Sequence, residues 1–257
     1  MKLALQIYSL RAYLAPQQLG NTLSQVKEMG YDGVEWFALM GHTPAELAAL
    51  TEEAGLKMFS LHRDIHDVLA CDTFELDAIS DAGIKYLPIG WLPENRLAGS
   101  TLFSETCEAI RRYAAEAEMR GLQLLYHNHD FDMAPCGTST KLDMLLSALP
   151  ENVLGAEPDT CWLWTGGADP AAWLKHYAHR APVIHLKDCV PEGGRKGFMP
   201  VGSGALNWDS ILPECGKAEW LCVEQDEPSE GLDAFACAKM SASFLLTWRK
   251  HTAHTPE

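Results

Sequence analysis

Met119-Arg120-Gly121-Leu122-Gln123-Leu124-Leu125-Tyr126 packs a helix end, a glycine and an apolar strand into one short stretch. Glycine just after a helix takes the left-handed cap without a Cβ clash. The same signature recurs along the chain. Lys27-Glu28-Met29-Gly30 leads into Gly33-Val34-Glu35-Trp36, and Glu53-Ala54-Gly55 into Leu56-Lys57-Met58-Phe59-Ser60-Leu61. Asp81-Ala82-Gly83 leads into Ile84-Lys85-Tyr86-Leu87-Pro88-Ile89, and Cys215-Gly216-Lys217 into Trp220-Leu221-Cys222-Val223-Glu224. Helix, glycine, strand, in repeated order, is the αβ half of a βαβ series.

Working outward, eight strands are expected, over 3–9, 32–36, 57–61, 84–89, 122–127, 153–157, 182–187 and 219–225. The segments between them are amphipathic. Pro44, Leu47, Ala48 and Thr51 fall near helical spacing within Thr43 to Glu53, and 103–118 repeats the theme. Eight βα units in 257 residues predict a single α/β domain, a closed (β/α)8 TIM barrel, which uses roughly 250 residues. A doubly wound open sheet competes, but no G-x-G-x-x-G follows the first strand. No linker or low-complexity tract divides the chain, so one domain is expected over 1–257. Residues 248–257 read as a polar tail that frays.

Charge narrows the function classes. Thirty-five acidic against 20 basic residues give −15, the wrong sign for a nucleic-acid or anionic-membrane binder. The 47% apolar content excludes wholesale disorder. The eight cysteines include no C-x-x-C pair, which argues against a zinc ribbon and for reduced thiols in a cytoplasmic setting. The N-terminus is too short and polar for a signal h-region, and no run of 18 apolar residues spans a membrane.

In a parallel barrel the strand C-termini converge on one face, and that face carries the chemistry. Strand five ends Tyr126-His127-Asn128-His129-Asp130, with two histidines two apart and so on one side of the sheet. Strand six ends in Glu157 and Asp159, strand seven in His185-Leu186-Lys187-Asp188, and strand eight in Glu224-Gln225-Asp226-Glu227. Any one of these could be a lone polar group at a strand mouth. Together, imidazoles and carboxylates around one rim suit a divalent Mn2+, Co2+, Zn2+ or Fe2+ ion, with Mn2+ the working choice. Mg2+ suits two histidines less well.

Glu35, His62 with Arg63, and Gly90-Trp91 close earlier strands, and could line a polar-ligand pocket with Tyr8, Ser9 and Arg11. Trp91 and Trp162 read equally as packing or as sugar-stacking surfaces. Lys187-Asp188 reads as an ion pair, or Lys187 as an acid/base if its pKa is depressed. Gly193-Gly194-Arg195-Lys196-Gly197 reads as a mobile basic loop and only weakly as a phosphate clamp. Gly202-Ser203-Gly204 reads as a turn.

With these residues in place, the chain resembles the sugar phosphate isomerase/epimerase family of xylose isomerase-like barrels. The resemblance runs over essentially the whole length. It is carried by Gln6-Ile7-Tyr8-Ser9-Leu10-Arg11, Gly30 to Glu35, Tyr126-His127-Asn128-His129-Asp130-Phe131, Asp159-Thr160-Cys161-Trp162, His185-Leu186-Lys187-Asp188, Val201 to Gly204 and Val223 to Glu227. It implies one divalent metal ion held by His127, Asp159, His185 and Glu224. The strand-five ligand is a Glu in the epimerases, and here it is His127. A symmetric two-Glu proton transfer is therefore in doubt, and His129 or Lys187 would supply the second acid/base beside Glu224. Glu35 and His62 match substrate-facing positions, and Glu157, Trp91 and Trp162 are further candidates. Where relatives often read Gly-Glu-Gly, this chain has Gly202-Ser203-Gly204.

The leading expectation is a metal-dependent isomerase or epimerase of a keto sugar or polyol. It would work by proton abstraction beside a carbonyl and a metal-stabilised enediolate. A lyase acting on a keto-inositol or a 3-keto-glycoside is the alternative. An endonuclease IV-like repair enzyme needs a basic face and more ligands, and a non-catalytic sugar-binding barrel is the bland reading. The expected partner is a small carbohydrate, with neither nucleic acid nor membrane; a homo-oligomer is left open.

Overall fold

The computed structural model describes residues 1–191 and 197–252. Eight parallel strands form one sheet: β1 Lys2–Gln6, β2 Gly33–Trp36, β3 Lys57–Leu61, β4 Tyr86–Ile89, β5 Gln123–His127, β6 Gly155–Glu157, β7 Val183–Leu186 and β8 Trp220–Val223. Their spatial order is β6-β5-β4-β3-β2-β1-β8-β7. The two ends meet at a parallel bridge between Asp159 and His185, where the His185 N–H donates to the Pro158 carbonyl at 2.8 Å. The sheet thus nearly closes into a barrel of the xylose isomerase-like kind, at the strand positions expected from sequence.

Local chemistry explains the surrounding helices. Helix Pro44–Glu53 starts with a capping box between Thr43 and Glu46 and a proline in its first turn. Helix Phe103–Glu118 buries Thr106, Cys107, Ile110, Tyr113, Ala114 and Ala117, one face at helical spacing, against the barrel.

The first halves of the strands fill the barrel interior with Ala4, Phe59, Tyr86, Leu125, Val183, Trp220 and Cys222. Phe59 and Trp220 stack there with ring centroids 4.1 Å apart. The plug needs Gly33, because a Cβ there would lie 2.5 Å from the Lys57 carbonyl and 2.9 Å from the Trp220 ring. Apolar filling below leaves the polar strand ends gathered above it.

Three expectations change. β1 stops at Gln6, and Ile7–Tyr13 forms a 3-10 helix. The Gln6 side chain accepts from the Tyr8 N–H at 3.1 Å and turns the backbone out of the sheet. The C-terminal segment expected to fray from 248 is helical as far as 252, where helix Ala234–Thr252 ends, and residues 253–257 lie outside the described residues. Ala238, Ala242 and Leu245 are buried on that helix, and Tyr31 Oη donates to the Ala238 carbonyl at 2.9 Å. Lys187 and Asp188 do not pair. Asp188 instead collects the Gly202 and Gly204 N–H groups (3.0 and 2.9 Å), the Leu206 N–H (3.3 Å) and Trp208 Nε1–H (2.7 Å). A Cβ on Gly204 would overlap the Asp188 carboxylate, which explains the glycine. Of the basic stretch 193–197, residues 193–196 lie outside the described residues.

Candidate metal centre and active site

Strands β5 to β8 each deliver one donor to a common point. His127 ends β5, Asp159 follows β6, His185 lies in β7 and Glu224 follows β8. One ligating atom from each lies within 4.8 Å of all the others, and all four side chains are buried. Asn128 Oδ1 accepts from the Asp159 N–H at 3.0 Å and fixes that turn. Asp159 Oδ1 accepts from the Trp162 N–H at 2.9 Å, while its buried Oδ2 accepts no hydrogen bond.

The charge states of His127 and Glu224 suit ligation. His185 has to shed a proton to ligate, since burial opposes charge there but Glu157 and Glu35 raise its pKa well above the ordinary imidazole value. Burial and then the neighbouring His185 push His127 well below the ordinary imidazole value, so it is neutral, as a ligand must be. Burial alone would raise Glu224, but Lys187 and then His185 hold it well below the usual carboxylate range. Burial pushes Asp159 up to about 7. A buried carboxylate oxygen without a hydrogen bond, beside a neutral imidazole and an ionised Glu, fits a divalent ion.

Lys187 is fully buried under this set. Its Nζ contacts Asp226 Oδ2 and lies 3.4 Å from Glu224 Oε2 and 3.9 Å from Asp159 Oδ2. It also sits 4.6 Å from the Trp162 ring and 4.7 Å from the Phe198 ring. Burial would lower its pKa, yet Glu224, Asp159 and Asp226 together raise it. The depressed lysine considered from sequence is therefore replaced by a fixed ammonium.

A second set lies beside the first. The His185 ring faces two ways, with Nδ1 3.4 Å from Glu224 Oε2 and Nε2 2.7 Å from Glu35 Oε1. His62 Nε2 is 3.0 Å from Glu35 Oε1 and 3.4 Å from Glu157 Oε1. Gln6 Nε2–H donates to Glu35 Oε1 at 2.8 Å. Burial opposes charge on His62, but Glu35 and Glu157 raise it to about 10. Glu35 and Glu157, expected toward the substrate, are wholly buried beneath the cleft floor because they turn into this cross-barrel set.

Above both sets opens a cleft of about 1090 Å³. His62, His127, His129, Trp162 and Glu224 line it, and Trp91, 54% exposed, stands at its rim. His129 stacks on Phe131 with centroids 5.3 Å apart and planes 4° from parallel. Its backbone N–H donates to Asp132 Oδ2 at 2.8 Å, and Tyr126 Oη donates to Asp132 Oδ1 at 2.8 Å. The sequence reading missed Gln6, Asn128 and Asp132 as supports, and Phe37, Phe198 and Asp226 as wall residues. Gln6 carried a signal, being polar at the end of an apolar strand.

The family model for the xylose isomerase-like TIM barrel matches residues 23–236. The chain belongs to this family. This xylose isomerase-like barrel is 23% identical over 263 aligned positions to the inosose dehydratase of Geobacillus kaustophilus, covering 87% of this chain and 85% of that one. In fold it is similar to a sugar phosphate isomerase/epimerase from Parabacteroides distasonis, with 22% identity, a TM-score of 0.78 and 96% and 98% of the two chains covered. It is also similar to the IolI protein with a bound zinc atom, at 14% identity and a TM-score of 0.67, covering 96% and 97%. No described helix is long and apolar enough to cross a membrane.

Proposed function

We propose that this barrel is a divalent-metal-dependent lyase that removes water, or another β-substituent, from a cyclic keto polyol. The observation that carries this reading is the unlike pair of groups on the cleft: Glu224, held ionised by Lys187, and His129, held in the wall by Phe131 and the Asp132 turn. An unlike base and acid suit one-way elimination. The inosose dehydratase relative supports the same class.

His127, Asp159, His185 and Glu224 would hold the ion, which when bound supplies Lewis acidity to a substrate carbonyl. Glu224 takes the proton from the carbon beside that carbonyl. The electron pair left behind forms the new C=C bond as the C–O bond at the β-carbon breaks. His129 gives its proton to the departing hydroxyl, so one water and one enone leave. Lys187 keeps Glu224 ionised. Trp91 and Trp162 offer apolar faces to the ring. Among the described residues lining the cleft none is Lys or Arg, while Glu224, Asp226, Glu227 and Glu230 are acidic, which favours an uncharged polyol over a phosphorylated one.

Isomerisation or epimerisation of a keto sugar is the second reading, favoured by the same groups if His129 returns its proton to carbon. Incubating metal-loaded protein with a keto-inositol and a keto-sugar panel in D2O separates them. Elimination gives a product lighter by one water. Isomerisation gives a deuterated product of unchanged formula. His129→Asn is expected to lower kcat about 10²- to 10⁴-fold with metal content unchanged. His185→Ala and Glu224→Ala are expected to lose metal and turnover together; full metal binding and turnover in both would sink the site.

A further inference from the structure

The geometry points to a second divalent-cation site, formed by Glu35, His62, Glu157 and His185 beneath the first. This goes beyond the elimination chemistry, which uses only the outer set. One ligating atom from each of the four lies within 4.8 Å of the others. The His–Glu edges between them are 2.7 Å (His185–Glu35), 3.0 Å (His62–Glu35), 3.3 Å (His185–Glu157) and 3.4 Å (His62–Glu157). A tetrahedral ion with bonds near 2.0–2.1 Å has ligand–ligand edges of about 3.3–3.4 Å. Two edges already match, while the His185–Glu35 edge needs to lengthen by about 0.6 Å and the His62–Glu35 edge by about 0.3 Å.

Burial supplies an independent reason. Glu35, Glu157 and His185 are all inaccessible to solvent. Glu35 Oε2 and both oxygens of Glu157 receive no well-aligned hydrogen bond. Buried carboxylate oxygens in that state are strongly disfavoured unless something positive meets them. The histidines meet one oxygen of each, and a cation at the centre would meet both carboxylates at once. Two imidazoles with two carboxylates select a first-row divalent ion such as Zn2+ over Mg2+ or Ca2+. His62, with 15% of its side chain exposed, lines the cleft and gives the ion an entry route.

His185 connects the two sets. Nδ1 faces Glu224 of the outer set, and Nε2 faces Glu35 and Glu157 of the inner one. A single ring can serve one ion through each nitrogen once it gives up its remaining N–H proton to solvent and binds as the imidazolate. The competing role for Glu35 is to orient His185 by accepting its Nε2–H, a common arrangement behind a metal-bound histidine. Stoichiometry distinguishes the two.

Chelator-stripped full-length protein is titrated with Zn2+ by calorimetry, followed by metal analysis after dialysis. Two equivalents are expected for the unmodified chain. Glu35→Gln and Glu157→Gln, which keep side-chain shape, are each expected to hold one. His127→Ala is expected to hold the other one, and His62→Ala, at the partly exposed position, to behave like the two Gln variants. Circular dichroism and the melting temperature check folding in each. One equivalent in the unmodified chain overturns the proposal, and a 10- to 100-fold weaker single equivalent in Glu35→Gln would then mark the orienting role. Two equivalents unchanged in Glu35→Gln, Glu157→Gln and His62→Ala overturn it as well. A single equivalent lost in His127→Ala leaves the outer centre standing without the inner. No bound metal at all removes both.

Discussion

Asp132 shows how one residue couples the site to pH. Both its oxygens are engaged, by Tyr126 Oη–H and by the His129 N–H. Burial pushes its carboxyl up to about 6 despite those two hydrogen bonds. The folded chain therefore binds this proton more tightly than the unfolded chain, whose aspartates titrate near about 3.9. Between about pH 4 and 6 the folded state carries the extra proton, so stability falls as pH rises through that window. Relative to Asp132→Asn, the unmodified protein is expected to lose on the order of 2–3 kcal/mol from pH 4 to 6.5. Urea unfolding of both proteins across that range checks it, and parallel profiles would refute the assignment. Much at this scale was readable in advance. His127, Asp159, His185 and Glu224 sit at strand ends with a period of two, and period and strand end together place a side chain on the mouth. The pairing of Glu35 and His62 with Glu157 and His185 was not readable. It joins β2 and β3 to β6 and β7 across the barrel, and that distance depends on how the sheet curls.

At the scale of elements, glycine after helix marked β2 to β5, where Gly30, Gly55, Gly83 and Gly121 take the left-handed cap that a short stretch of sequence satisfies or fails, whereas Gly216 before β8 sits in a 3-10 turn instead. Strand ends were less legible. β1 looked longer since Ile7 and Leu10 are apolar, yet both are buried in a 3-10 helix rather than in the sheet. A side-chain cap, Gln6 on Tyr8, outweighed the apolar pattern. The turn after β7 was read as a turn without its anchor. Asp188 holds it through backbone N–H groups and Trp208, contacts of 14 to 20 residues' separation that no local rule exposes. Asp188→Ala strands four amides and an indole N–H, and is expected to destabilise the fold by about 3 kcal/mol or more. Gly204→Ala is expected to destabilise in the same direction through overlap with that carboxylate. Denaturant midpoints test both; a midpoint within error of the unmodified protein would show that the turn has another anchor.

For the whole molecule, an ion that binds only the folded barrel adds stability by mass action. At a free concentration about 100 times its dissociation constant the gain is about 2.7 kcal/mol. For a domain of this size that is a rise in Tm of about 5–10 °C. Scanning calorimetry of stripped and Zn2+-loaded protein is the check, and His185→Ala is expected to abolish the rise. The place where this stability enters is set by the topology. β3 and β4 are joined by the one pair Ser60–Tyr86 and the Arg63–Ile89 bridge, while β6 and β7 are not paired within the sheet and meet through the Asp159–His185 bridge. Those same two residues stand among the candidate ligands. The arc where the sheet's two ends meet is thus the one an ion would stitch, Asp159 on one lip and His185 on the other. An ion bound there would also be a clasp: emptying the centre would be expected to loosen the wall first along that one seam.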